Sequence, residues 1–364
     1  MEHEMAAGVV PGKFWHRLEG GRIQCDLCPR FCQLQEGQRG LCFVRARKDD
    51  GMVLTTYGRS SGFCVDPIEK KPLHHFLPGT AVLSFGTAGC NLACKFCQNW
   101  DISKSREIDT LADSASPEKL ARAAGHLGCR SIAFTYNDPI IFHEYAVDVA
   151  RACRAAGIRT VAVTAGYVCA EPRQEFFASM DAANVDLKAF SASFYRQICG
   201  AELTAVLETL VYLKRETDVW LELTTLLIPG ENDSSAEIDA MTRWVVAELG
   251  PDVPMHFTAF HPDWKMLDRP RTPAATLLRA RRIALDNGVR HAYTGNVRDT
   301  EGGSTYCHGC GKVLVERRGY DLGDWNLTAA GACKNCATLC PGVFEERPGN
   351  WGSRRRPVRL ADFT

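Results

Sequence analysis

The sequence predicts an α/β protein built on a parallel sheet. Three observations carry this. Apolar runs of strand length recur along the middle of the chain, helical patterns lie between them, and the strands read as near-continuously apolar, which fits burial on both faces. Strand–helix alternation of this kind makes parallel pairing with right-handed crossovers. Six to seven such units can close as a barrel or stay open as a doubly wound sheet, and periodicity alone does not separate the two. In either case ligands bind at the carboxyl ends of the strands.

Taken in order, the chain opens with a cysteine-rich segment, residues 1–80. "CDLCPRFCQLQEGQRGLC" places Cys25, Cys28, Cys32 and Cys42 within eighteen residues, with Gly37 and Gly40 in the long gap. Four thiols so close, in a segment too short to bury them by packing, point to one metal centre. "VLTTYG" from Val53 reads as a short strand. The repeat occupies residues 81–300. Its strands are expected at "VLSFG" (Val82), "SIAFTY" (Ser131), "TVAVTA" (Thr160), "NVDLKA" (Asn184), "VWLELTTLLI" (Val219) and "MHFTAF" (Met255), with a weaker seventh at "RHAYTG" (Arg290). The intervening helices include "SPEKLARAAGHLG", "EYAVDVARACRAAG" and "SAEIDAMTRWVVAELG". The first and third open on serine with an acid soon after, and all three end at glycine. Residues 301–364 form a second cysteine-bearing tail, ending in a basic stretch expected to be solvated or loosely docked.

Composition narrows the function classes. Lys plus Arg number 43, as do Asp plus Glu, so nothing favours a polyanion such as nucleic acid over the whole surface. No apolar run reaches the roughly 18 residues of a membrane span, and the amino terminus lacks a signal peptide's apolar core. A cytoplasmic location is expected. Seventeen cysteines in a reducing compartment then point to metals or redox chemistry rather than to disulfides. Cys129, Cys153, Cys169 and Cys199 stand singly and are expected to be small buried residues, and packing is the default for Cys64. "KKPLHH" at Lys70 is expected to be a solvated face or a loop over the active site rather than a metal site.

The most informative stretch is "GTAGCNLACKFCQNW", which follows the first strand of the repeat and carries Cys90, Cys94 and Cys97. Closed structural sites usually use four protein ligands. Three thiolates on a cubane leave one iron for a small molecule. A zinc knuckle or an ordinary ferredoxin loop is the bland alternative, but such knuckles rarely open a βα repeat. The spacing, with Phe96 before the third cysteine, resembles the radical S-adenosylmethionine superfamily. That resemblance implies a partial (β/α)6-type barrel and a 4Fe-4S cluster held by Cys90, Cys94 and Cys97. It also implies reductive cleavage of S-adenosylmethionine to a 5′-deoxyadenosyl radical that abstracts hydrogen from a substrate. By position it implies cosubstrate contacts from Asn137 and Asp138 in "TYNDP", from Asp186 and Lys188 in "DLK", and from His261 in "AFHPDWK". Two departures stand out: Thr224 lies where relatives carry an arginine, and "VTAGY" lies where they carry an acid.

"CDLCPRFC", "GQRGLC", "SSGFCVDPIEKKPLHHFLPG", "FTYNDP" and "MHFTAFHPDWKM" extend the resemblance to one group, the radical enzyme of the AmmeMemoRadiSam system, similar to pyruvate formate-lyase activating enzymes. It implies Memo-like and AMMECR1-like partner proteins, an electron donor such as flavodoxin or ferredoxin, and a substrate that is a glycine of a partner protein, a small molecule or another macromolecule.

In the tail, Cys307, Cys310, Cys333 and Cys336 form two C-x2-C knuckles 22 residues apart, which suits a tetrahedral zinc ribbon. Cys340 is left outside that set. For Cys25, Cys28, Cys32 and Cys42, zinc and an auxiliary cluster both remain, with zinc preferred because nothing else asks for a further redox step. The rival from another class is a non-catalytic iron–sulfur or zinc protein that binds nucleic acid or a partner. The positions at the strand ends argue against it, since a binding module needs no cosubstrate pocket.

Overall fold

The computed structural model describes residues 8–104 and 113–363. Its centre is a sheet with seven parallel strands: β1 (Ala81–Phe85), β2 (Ser131–Phe134), β3 (Arg159–Thr164), β4 (Ala182–Asp186), β5 (Trp220–Leu227), β6 (Met255–Ala259) and β7 (Ala292–Gly295). Neighbours in the sheet are neighbours in sequence from β1 to β7, with no reversal of order. A doubly wound sheet would reverse at a switch point, so the topology is the singly wound one of barrel folds. The weak seventh strand of the sequence is present and pairs with β6.

Helices return the chain between the strands: α1 (Pro117–His126), α2 (His143–Ala155), α3 (Ala170–Ala178), α4 (Leu203–Glu216), α5 (Ser235–Leu249) and α6 (Ala274–Asp286). The local signals do what their chemistry demands. Ser116 and Ser234 accept the amides of Lys119 and Glu237 as N-caps, the latter one residue earlier than the expected helix start. Gly128, Gly157 and Gly250 take positive φ just past the helix ends. The strands are buried on both faces, and Leu83, Phe134, Val185 and Phe257 belong to one continuous core.

Two further strands extend the sheet beyond β1, each antiparallel to its inner neighbour. Phe63–Pro67 pairs with β1, and Arg356–Val358 pairs with Phe63–Pro67. The basic carboxyl terminus is therefore not loosely docked. It is the edge strand, and Leu360 behind it is buried. The expected strand at Val53 is found as Gly51–Leu54. Of the four single cysteines, Cys129, Cys153 and Cys199 are buried, while Cys169 is half-exposed at the start of α3. Among the described residues no helix is long and apolar enough to cross a membrane.

Candidate functional site

The carboxyl ends of the strands open onto one cleft with a cavity of about 1360 Å³. Cys90, Cys94, Cys97, Asn137, Asp138, Asp186 and Lys188 all line it. His261 does not. It lies exposed on the loop after β6, 3.9 Å from Asp263, and the histidine that reaches the cleft from β6 is His256.

The cysteine loop leaves β1 through glycines that no other residue can replace without movement. A Cβ on Gly86 would lie 2.4 Å from the Thr135 carbonyl oxygen. Gly89 has φ +83°, and a Cβ there would lie 1.9 Å from the carbonyl oxygen of Cys42. The amino-terminal cysteine segment thus packs directly on the loop. Asn137 braces the loop from β2: its Nδ2 donates to the Gly89 carbonyl (2.9 Å), and its Oδ1 accepts the Thr87 amide (3.3 Å). Farther along, the amides of Ala93 and Lys95 donate to the carbonyls of Cys199 and Ile198 (2.8 and 3.0 Å). Trp100 stacks on Trp264 at 5.0 Å.

Burial pushes the Cys90 thiol up to about 12, with the Asp138 carboxylate adding to it, and burial also raises Cys97. Such thiols ionise only beside a positive centre. Cys94 behaves differently. A hydrogen bond from Cys199, assisted by the Lys188 and Lys104 ammonium groups and opposed by burial, brings it down to about 7.

Asp138 is tied to the ends of β2 and β3. Its carboxylate accepts the Ile140 amide (3.1 Å), the Ala165 amide (2.9 Å) and the Thr164 hydroxyl (3.1 Å). Burial still raises its pKa. Asp186 and Lys188 meet as an ion pair, Nζ to Oδ2 at 2.8 Å, which turns one charge of each sign toward the cleft. Burial works against the Lys188 charge, but Asp186, Cys94 and Cys199 outweigh it and hold its pKa well above the ordinary value. Thr224, at the position that the resemblance gives to an arginine, donates to Asn184 inside the sheet (2.8 Å).

"KKPLHH" is not a solvated face. Lys71, His74 and His75 are buried, and Lys70, Lys71 and His74 line the cleft. Burial is possible because every charge has a partner. Lys71 and Lys70 pair with Asp66 (2.7 and 2.9 Å), which also accepts from the Tyr136 hydroxyl (2.8 Å). The amides of His74 and His75 donate to Glu222, as does His256 Nε2 (2.7 Å). Cys64 reaches the same cleft with its thiol 3.7 Å from Asp66. The sequence offers a loop over the active site as one reading of this lysine pair, but nothing in it gives Cys64, Cys199 or His256 a place in the site. Their positions depend on pairings between distant segments that carry no local signal.

Two other cysteine groups lie outside the cleft. In the tail, one Sγ from each of Cys307, Cys310, Cys333 and Cys336 lies within 4.8 Å of the others. Cys307–Cys336 and Cys310–Cys333 are 3.5 and 3.9 Å apart. A tetrahedral ion with bonds of about 2.3 Å sets sulfurs roughly 3.8 Å apart, so this group could hold a metal with little movement. Near the amino terminus, Cys25, Cys28, Cys32 and Cys42 line one cavity, although their sulfurs are not gathered within 4.8 Å of one another as those of the tail group are. Arg45 lies beside them. It is buried and paired with Glu144 of α2 at 2.8 and 2.9 Å.

The chain is similar to several known proteins. The family model described as the radical SAM superfamily matches residues 85–241. An uncharacterized protein of Methanocaldococcus jannaschii is 37% identical over 324 residues, which cover 89% of this chain and 96% of that protein. The pyruvate formate-lyase 1-activating enzyme of Escherichia coli is 25% identical over 178 residues, 46% of this chain and 70% of the enzyme. Among solved structures, a radical SAM methyltransferase from Sphaerobacter thermophilus aligns with a TM-score of 0.47 at 15% identity, over 79% of this chain and 76% of that one.

Proposed function

The chain belongs to the radical SAM superfamily and is an enzyme, and from that premise we propose that Cys90, Cys94 and Cys97 hold a 4Fe-4S cluster at which S-adenosylmethionine is cleaved. The observation that carries this is the convergence of the three thiols, the Asp186–Lys188 pair, Asn137 and Asp138 on one cleft at the strand ends. The donor set fits the group: three soft thiols on one loop, two of which are too buried to ionise without a bound cation. When bound, the cluster supplies the electron that splits the sulfonium to a 5′-deoxyadenosyl radical, which takes hydrogen from the substrate.

The chain's own residues do the rest. Asn137 and the two glycines fix the loop. Lys188 and Asp186 offer complementary charges for the carboxylate and the ribose or amine of S-adenosylmethionine, and Asp138 offers an acceptor near the loop. His261, exposed on its loop, stays a candidate ribose contact only if that loop folds inward on binding. The group in the tail is proposed to hold zinc. Cys25, Cys28, Cys32 and Cys42, which line one cavity, are proposed to hold a second metal centre, with zinc preferred to an auxiliary cluster because nothing else in the chain asks for a further redox step. The chain divides into 1–80, 81–300 and 301–364 as metal-binding segment, partial barrel and zinc-ribbon-like tail.

The finer assignment is an AmmeMemoRadiSam-type enzyme, cytoplasmic, reduced by a flavodoxin- or ferredoxin-like donor and working beside Memo-like and AMMECR1-like proteins. Its substrate class includes a glycine of a partner protein, supported by the similarity to pyruvate formate-lyase activating enzymes. The test is electron paramagnetic resonance of the dithionite-reduced protein. S-adenosylmethionine should change the cluster's g values in the wild type, and an unchanged spectrum at saturating cosubstrate would remove the assignment of the open iron.

A further inference from the structure

Cys340, the cysteine left over from the tail, is enclosed by two histidines. His75, His291 and Cys340 are 0%, 2% and 3% exposed. One ligand atom from each lies within 4.8 Å of the other two. Sγ of Cys340 is 3.6 Å from Nδ1 of His75 and 4.0 Å from Nε2 of His291. We propose that these three residues form a separate zinc site that clips the tail to the amino-terminal edge of the sheet.

The geometry is close to what such an ion needs. With zinc–sulfur and zinc–nitrogen bonds of about 2.3 and 2.1 Å, the sulfur–nitrogen edge of a tetrahedron is roughly 3.6 Å. One observed distance matches this, and the other is a few tenths of an ångström longer. One thiolate and two imidazoles are a borderline-soft donor set.

The surroundings of His75 point the same way. Its Nε2 is 2.6 Å from the Tyr293 hydroxyl, which is 2.8 Å from Thr305 Oγ1, and Thr305 accepts from Arg317 (2.7 Å). Hydroxyls can donate or accept, so this chain supports either tautomer of the ring. With Nε2–H donating to Tyr293, the Nδ1 lone pair is free toward Cys340, the outer-shell arrangement that orients metal-bound histidines. In the structure Nδ1 donates to the Pro341 carbonyl (2.7 Å). Binding therefore moves the ring hydrogen from Nδ1 to Nε2 and releases the thiol proton of Cys340 to solvent. The freed Pro341 carbonyl, or His308, whose ring centroid is 6.2 Å from that of His291, is available as fourth donor.

Position suggests the role. His291 immediately precedes β7, so the site is at the opposite edge of the sheet from the cleft, where barrel folds keep residues for stability rather than chemistry. The backbone already joins these segments, with the amides of Val343 and Leu77 donating to the carbonyls of His75 and Val343 (2.7 and 2.8 Å). The site would fix a contact between residues 265 apart in sequence.

The test is zinc content of the anaerobically purified full-length chain, with Cys340→Ser and His291→Gln compared with wild type and with the tail variant Cys336→Ser. Each of the first two should lose about one zinc per chain, their double variant no more than either, and Cys336→Ser with Cys340→Ser about two. Wild-type zinc in Cys340→Ser would overturn the proposal. Should both variants fail to fold, zinc K-edge absorption of the wild type decides. Imidazole scattering supports the site, since the two four-cysteine groups contain no histidine, and a pure sulfur shell overturns it.

Discussion

Removing the Lys188 charge tests the cosubstrate site. Lys188→Met and Asp186→Asn each delete one side of a pair whose Nζ–Oδ2 distance is 2.8 Å. The backbone at this point is held independently of the side chain: the Lys188 amide donates to the Tyr195 hydroxyl (3.0 Å), and its carbonyl accepts from Asn232 (2.6 Å). The loop should therefore stay in place in both variants. A charge-assisted hydrogen bond is worth about 1.5–3 kcal/mol, so each variant should raise the Kd for S-adenosylmethionine roughly ten- to a hundredfold. The two residues share a contact, so the double variant should lose less than the singles combined. Anaerobic titration calorimetry reads this, with iron content and the visible spectrum as controls. Unchanged affinity in both single variants, with the cluster intact, would refute the placement of the cosubstrate at this pair.

Three further outcomes are expected. Arg45→Met leaves Glu144 buried without its partner and should lower unfolding free energy by about 3–5 kcal/mol, and a change under 1 kcal/mol by denaturant titration would show that the pair does not join the amino-terminal segment to α2. Stripping metal from Cys307, Cys310, Cys333 and Cys336 should expose the tail around Leu314, Val315 and Leu327 to fast amide exchange while the edge strand Arg356–Val358 stays protected, and an equally protected metal-free tail would count against a metal-dependent fold. Glu69 supplies a pH dependence: burial, opposed by Arg317, pushes its carboxyl up to about 7, and its Oε2 has no hydrogen-bond partner. A raised carboxyl favours the folded state at low pH, and that stability is lost as pH rises from about 4.5 to 7. At 1.36 kcal/mol per unit the loss is about 3 kcal/mol, so Glu69→Gln should gain about that much over wild type at pH 8 and far less at pH 5. Parallel stability–pH curves for the two proteins would refute it.

The parts of the fold visible in the sequence are those with a local cause. Continuous apolar runs located all seven parallel strands, and Ser116, Gly128, Gly157 and Gly250 marked helix ends through caps that need only near neighbours. The three-cysteine loop was visible because its spacing is itself the chemistry. What stayed hidden depends on distant partners. Lys71, His74 and His75 read as a solvated face or a loop over the active site, and their burial rests on Asp66 and Glu222. Cys199 read as packing, yet it stands beside Cys94 because the loop pairs with residues 198 and 199. The order of strands, which separates a singly wound sheet from a doubly wound one, is a property of pairing and not of periodicity.

The central claim is that Cys90, Cys94 and Cys97 hold the cluster that cleaves S-adenosylmethionine. Reduced, reconstituted protein is mixed with S-adenosylmethionine, and 5′-deoxyadenosine is quantified by chromatography against a control lacking reductant, for the wild type and for Cys90→Ala with Cys94→Ala and Cys97→Ala. The wild type should give reductant-dependent 5′-deoxyadenosine, and the triple variant none above the control. Cleavage retained in the triple variant, or none from wild-type protein carrying a full complement of iron, would contradict it.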